Sequence, residues 1–121
     1  LKHLHILSGL TAGQMAEELS RCQLAVTSCS TVAYEVCSIG RPLIGIQTAD
    51  NQARLAQFLS EKALAVVLPK QASVHDLVNE IQRSLSPSHK GFWPLFLQNQ
   101  RCYFDGRSPE RFRAVFSRLC A

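Results

Sequence analysis

The sequence predicts an α/β protein built on an open, mainly parallel sheet. Short β-rich runs alternate with segments of helical periodicity along the first 86 residues. Those runs are apolar almost throughout rather than alternating in polarity, which is the pattern of parallel strands covered on both faces. Capping residues and breakers fall between the two kinds of segment, as right-handed strand–helix–strand units require.

The elements follow in order. Leu4-His5-Ile6-Leu7 reads as a first strand. Thr11 or Gly13 opens a helix that places Met15, Leu19 and Cys22 on one face. Leu24–Thr27 is a second strand. Ser30 or Thr31 caps a helix running to about Ile39, where Gly40 stops it and Pro42 follows. Leu43–Ile46 is a third strand. Asp50 is a candidate cap for a helix with Leu55, Phe58 and Leu59 inward. Leu64–Leu68 is a fourth strand, ended by Pro69. Ser73 caps a helix whose stripe is Val74, Leu77, Val78, Ile81 and Leu85. The pattern then changes. Ser86-Pro87-Ser88-His89-Lys90-Gly91 interrupts it and the aromatic run Phe92–Phe96 follows. Asp105-Gly106 marks a turn, and Ser108-Pro109-Glu110 opens a last helix with Phe112, Val115, Phe116 and Leu119 as its stripe. The expected organisation is a Rossmann-like α/β unit over residues 1–86, with a C-terminal helical segment, 87–121, packed on it.

Composition narrows the function classes. The net charge of +4 comes entirely from residues 87–121, which hold six Lys/Arg against two Asp/Glu, while residues 1–86 hold seven of each. The late arginines alternate with a helical apolar stripe, so they form a solvated helix face and not a nucleic-acid footprint. The five cysteines (Cys22, Cys29, Cys37, Cys102, Cys120) are odd in number and irregularly spaced, which suits free thiols in a reducing cytoplasm. The histidines are as scattered, so no metal site and no cofactor is expected. No apolar run approaches the roughly 20 residues of a membrane span. The chain opens inside an apolar segment without Met or a signal-peptide pattern, which predicts a cut within a longer protein.

Ligands of open α/β sheets bind beyond the carboxyl ends of the strands. Two loops are distinctive there. Ser28-Cys29-Ser30-Thr31-Val32 runs from the second strand into a helix, where free N–H groups suit an anion such as a diphosphate without any lysine. Glu35, one turn further, suits a ribose diol. Plain helix capping is the alternative account of the Ser/Thr cluster. Thr48-Ala49-Asp50-Asn51-Gln52, after the third strand, offers Asp50, Asn51 and Gln52, and amides suit sugar hydroxyls and N-acetyl groups.

Leu24-Ala25-Val26-Thr27-Ser28-Cys29-Ser30-Thr31, then Tyr34-Glu35, Gly40-Arg41-Pro42 and Ala49-Asp50-Asn51-Gln52, resemble the C-terminal domain of GT-B nucleotide-sugar enzymes, a Rossmann-like half-molecule. The nearest resemblance is to the pseudaminic acid pathway UDP-sugar hydrolases and the spore-coat polysaccharide family, which also show Asp-Gly and an Arg-containing helix, as at Asp105-Gly106-Arg107 and Glu110-Arg111. The resemblance implies a bacterial, cytoplasmic enzyme of surface polysaccharide synthesis that hydrolyses UDP-2,4-diacetamido-2,4,6-trideoxy-altropyranose. It implies that Ser28, Cys29, Ser30, Thr31 and Val32 hold the diphosphate, Glu35 the ribose, Asp50, Asn51 and Gln52 the sugar, and that Ala12 lies by the uracil. Cys29 and Ser30 stand where the family often has Gly-Gly, so side chains are expected to narrow the phosphate approach. The family's candidate base is a histidine in a Gly-x-Gly-His-x-x-Arg motif of the N-terminal domain; this chain has no such motif, so it is expected to be silent alone and to need that domain as partner. The strands that usually separate Leu4–Leu7 from Leu24–Thr27 are absent too. The two therefore pair directly or another copy supplies the neighbour, with self-association of the fragment as the consequence. Two alternatives stand beside the hydrolase: the donor domain of a glycosyltransferase resembling the peptidoglycan N-acetylglucosaminyl transferase, and a non-catalytic UDP-sugar-binding domain.

Overall fold

Three parallel strands, β1 (Ala25–Ser28), β2 (Leu43–Ile46) and β3 (Val66–Leu68), form an open sheet in the order β1-β2-β3. The structure, a computed structural model, describes residues 4–106, with the side chains of His89 and Lys90 left out of the description. Ala25 pairs with Leu43 and Ser28 with Ile46, while Ile44 and Ile46 pair onward with Val66 and Leu68. The architecture is α/β with a parallel sheet, as the apolar runs predict.

Five α-helices surround it among the described residues: α1 (Ala12–Arg21), α2 (Thr31–Ile39), α3 (Ala53–Glu61), α4 (Val74–Leu85) and α5 (Trp93–Tyr103). Local chemistry sets their ends. Thr11 caps α1 through a reciprocal box with Gln14, and Ser73 caps α4 the same way with Asp76. Gly40 ends α2 at φ 85°, a left-handed conformation that favours glycine.

Alternation along the strands sends Ala25, Leu43 and Val67 to one face. There they join Ala33, Val36 and Cys37 of α2 and Ala56 and Leu59 of α3 in a single core, with Leu64 and Ala65 beside them. Helices joining successive neighbouring strands thus share one side of the sheet. On the other face Ile44 is fully buried, whereas Val26 on the edge strand is 40% exposed.

Several expectations are corrected. Leu4–Leu7 is not a strand, and Leu4, Ile6 and Leu7 are exposed. A strand is held by its ladder, and none of the described strands pairs with this segment, so β1 is an edge. The last strand is shorter than expected, because Leu64 and Ala65 enter the core before the ladder begins. Asp50 caps nothing; it opens a 3₁₀ turn, Asp50–Gln52, that leads into α3. The α4 stripe turns partly outward: Val74, Val78 and Leu85 are exposed while Ser84 is buried. The aromatic run is the start of α5, whose Pro94 sits in the first turn where its missing N–H costs nothing. Gln100 of α5 is fully buried and donates through Nε2 to the carbonyls of Arg41 and Leu64, at 2.9 Å each, tying α5 to the sheet. The predicted helix beginning at Ser108 lies outside the described residues.

Candidate functional site

The turn after β1 is shaped by the sheet. The Cys29 N–H donates to the Ile46 carbonyl at 2.9 Å, extending the ladder one residue past β1. This orientation sends the Cys29 side chain inward, where it is 1% exposed. Sγ lies so close to Gly45 that a Cβ there would stand 3.1 Å from it. The expected narrowing of the approach by Cys29 therefore does not occur, because its side chain belongs to the core. Burial pushes the Cys29 thiol above its usual range, and it pushes Cys37 up to about 12, so neither supplies a thiolate at neutral pH.

Ser30 occupies the cap position of α2, but its side chain makes no capping bond. Its Oγ instead shares a hydrogen bond with Ser28 Oγ at 2.8 Å. Simple capping does not account for the cluster. The Ala33 N–H of the first turn of α2 donates back to the Ser30 carbonyl at 2.9 Å, which leaves the N–H groups of Thr31 and Val32 as those without an intrahelical acceptor at the carboxyl end of β1.

A cleft of about 310 Å³ opens at this point. Cys29, Ser30 and Thr31 line one side, and Asn51 and Gln52 line the other. Five of the sequence-predicted residues from two separate loops thus meet in one cavity. Gln52 is held in place: its Oε1 accepts from Thr48 N at 2.8 Å and Thr48 Oγ1 at 3.1 Å. Asp50 stands outside, with its carboxylate 3.0 Å from Lys70 Nζ and its side chain 91% exposed. Ser28 and Val32 flank the cleft without lining it.

Glu35 and Ala12 come together elsewhere. They line a second cleft, of about 280 Å³ between α1 and α2, with Ala16, Leu19, Ser38 and Ile39. The two clefts adjoin along α2, since Thr31 in the first and Glu35 in the second are one helical turn apart on the same face. No Lys or Arg is among the described residues lining either cleft.

Tyr34 and Leu55 also line the first cleft, and sequence reasoning did not assign them to the site. Each stands three residues after a predicted site residue, Thr31 or Gln52, which is the helical spacing that would have placed them there. Tyr34 also packs on Phe104, with ring centroids 5.4 Å apart.

The described cysteines, Cys22, Cys29, Cys37 and Cys102, are free thiols. No group of three or more His, Cys, Asp or Glu among the described residues could hold a metal ion, and no helix among them is long and apolar enough to cross a membrane. No model of a known protein family matches the chain, and no curated protein is significantly similar to it.

Proposed function

We propose that this chain is the nucleotide-sugar-binding half of a two-domain GT-B-type enzyme, and that the intact enzyme hydrolyses UDP-2,4-diacetamido-2,4,6-trideoxy-altropyranose. One observation carries the reading: the cleft at the carboxyl ends of β1 and β2, where the Cys29–Thr31 turn faces Asn51 and Gln52. The first turn of α2 offers the diphosphate its N–H groups and the positive end of the helix dipole, which stand in for the missing basic side chains. The amides of Asn51 and Gln52 suit the acetamido groups of the sugar. The adjoining apolar cleft suits the uracil, with Ala12 and Ala16 leaving room for a flat ring and Glu35 beside them for the ribose diol. As charge grows on the departing diphosphate, the same N–H groups stabilise it. The base that activates water is assigned to the N-terminal domain, so the chain alone binds UDP without turning over its sugar conjugate.

Glu35 is the sharpest test. If its carboxylate accepts both ribose hydroxyls, Glu35→Ala weakens UDP binding by about 1.5–3 kcal/mol, on the order of tenfold or more. Calorimetry with UDP measures this directly. An affinity unchanged by the substitution refutes the ribose role and takes most of the reading with it.

A further inference from the structure

We propose that Tyr34 is the specificity-determining residue of the sugar subsite and that Phe104, at the end of α5, holds it in place; both assignments rest on the nucleotide-sugar reading of the cleft. Tyr34 and Leu55 line that cleft together with Ser30, Thr31, Asn51 and Gln52. Tyr34 stands one helical turn beyond Thr31, and Leu55 one turn beyond Gln52, so an apolar pair lies beside the polar groups. A pyranose matches such a lining. Its rim bears hydroxyl and acetamido groups, and its ring faces bear carbon-bound hydrogens. With an acetamido group on the amides of Asn51 and Gln52, a ring face comes to rest on the tyrosine.

Position on α2 assigns the sugar, and not the base, to this ring. Successive helical residues point about 100° apart. Tyr34 and Glu35 accordingly line different clefts, Tyr34 with Asn51 and Glu35 with Ala12. The start of α2, which receives the diphosphate, serves both. The helix thus divides the ligand, with the nucleoside on the Glu35 side and the sugar on the Tyr34 side.

Tyr34 is 39% exposed, so part of it is open to a ligand. On the protein side its ring packs on Phe104, with centroids 5.4 Å apart and planes tilted by 47°. Phe104 packs in turn against the core, and its N–H donates to the Gln100 carbonyl at 2.8 Å. Gln100 is the buried residue that ties α5 to the sheet. A tyrosine on a helix surface otherwise has more than one χ1 rotamer open to it. The phenylalanine behind it removes that freedom, and with it part of the ordering cost of binding.

The test compares, by calorimetry on the full chain, UDP with the UDP-sugar proposed as substrate. The conjugate should bind at least about tenfold more tightly than UDP, and Tyr34→Ala should shrink that margin on the order of tenfold. Tyr34→Phe should keep the margin, because the ring face and not the hydroxyl makes the contact. Tyr34→Leu, which keeps an apolar partner for Phe104 but has no flat face, should lose it and serves if Tyr34→Ala does not fold. Phe104→Ala, or Phe104→Leu if the former does not fold, should narrow the margin in the unaltered chain and not in the Tyr34→Ala background. A purely structural Phe104 would lower stability and leave the ratio of the two affinities alone. Absence of UDP binding refutes the nucleotide-sugar reading, and this proposal with it. With UDP bound, the proposal alone is overturned by four results: no margin for the conjugate, a margin that survives Tyr34→Ala, a margin lost in Tyr34→Phe, or a margin that the Phe104 substitution leaves unchanged or narrows equally in both backgrounds.

Discussion

Cys29 and Gly45 form a unit on which the candidate site rests. The thiol occupies the space above a glycine in the middle of β2, and Leu59 closes the same space at 3.7 Å from where a Cβ would stand. Leu59 is fully buried in α3 and Cys29 is 1% exposed, so an added methyl group presses on packed neighbours. Gly45→Ala is therefore expected to cost about 1–3 kcal/mol of stability by overpacking, and to weaken UDP binding by moving the turn that carries the free N–H groups. Removing the obstacle should restore both: Cys29→Ala with Gly45→Ala should be more stable than the sum of the single changes predicts. Denaturant unfolding of the four proteins reads this out, and strict additivity would show that the two side chains do not press on one another. Ser30 differs from Cys29, since its hydroxyl stays at the cleft and bonds to Ser28.

The capped start of α4 ties an element to pH. Ser73 N–H donates to Asp76 Oδ2 at 2.9 Å, and Asp76 N–H donates to Ser73 Oγ at 3.1 Å. The bond from the Ser73 backbone, followed by that with its side chain, holds the Asp76 carboxyl below the usual carboxylate range. A depressed carboxyl contributes stability that is fully present above its unfolded pKa and is lost as pH falls through its folded pKa. Ser73→Ala should cost about 1 kcal/mol at neutral pH, and the gap to the unaltered protein should narrow on acidification; urea unfolding across that range would reveal a constant gap if the box carried no charge. Such boxes are legible in sequence, as are Gly40 after α2 and the apolar run of β2, because each is decided by neighbours in the chain. The Ser28–Thr31 and Asn51–Gln52 loops were legible for the same reason: strand ends and helix starts locate them. What the sequence concealed depends on distant partners. Leu4–Leu7 has strand composition and no ladder. Gln100 looks like a surface residue until Arg41 and Leu64 present their carbonyls to it. Phe92–Phe96 reads in sequence only as an aromatic run after the Ser86–Gly91 interruption, and α5 begins inside it, with Pro94 in the first turn.

At the scale of the whole molecule, the sheet is open at β1. No described strand covers its outer edge, Val26 is 40% exposed there, and Leu4, Ile6 and Leu7 add exposed apolar surface. Unpaired edges of this kind recruit other strands. The chain should therefore self-associate with rising concentration, as sedimentation equilibrium would record; a single monomeric species at high concentration would exclude it. At the carboxyl end the same sheet does the opposite and confers rigidity. The Cys29 N–H belongs to the ladder with Ile46, which ties the start of the Ser30–Thr31 turn to the sheet. Amide exchange should divide sharply within three consecutive residues: Cys29 protected nearly to the global unfolding limit, Ser30 and Thr31 trading their hydrogens freely with solvent. On the proposed reading, a diphosphate arriving there would find its donors already in place, so its on-rate would be set by diffusion to the cleft and its residence time by the N–H groups that the sheet leaves unspent.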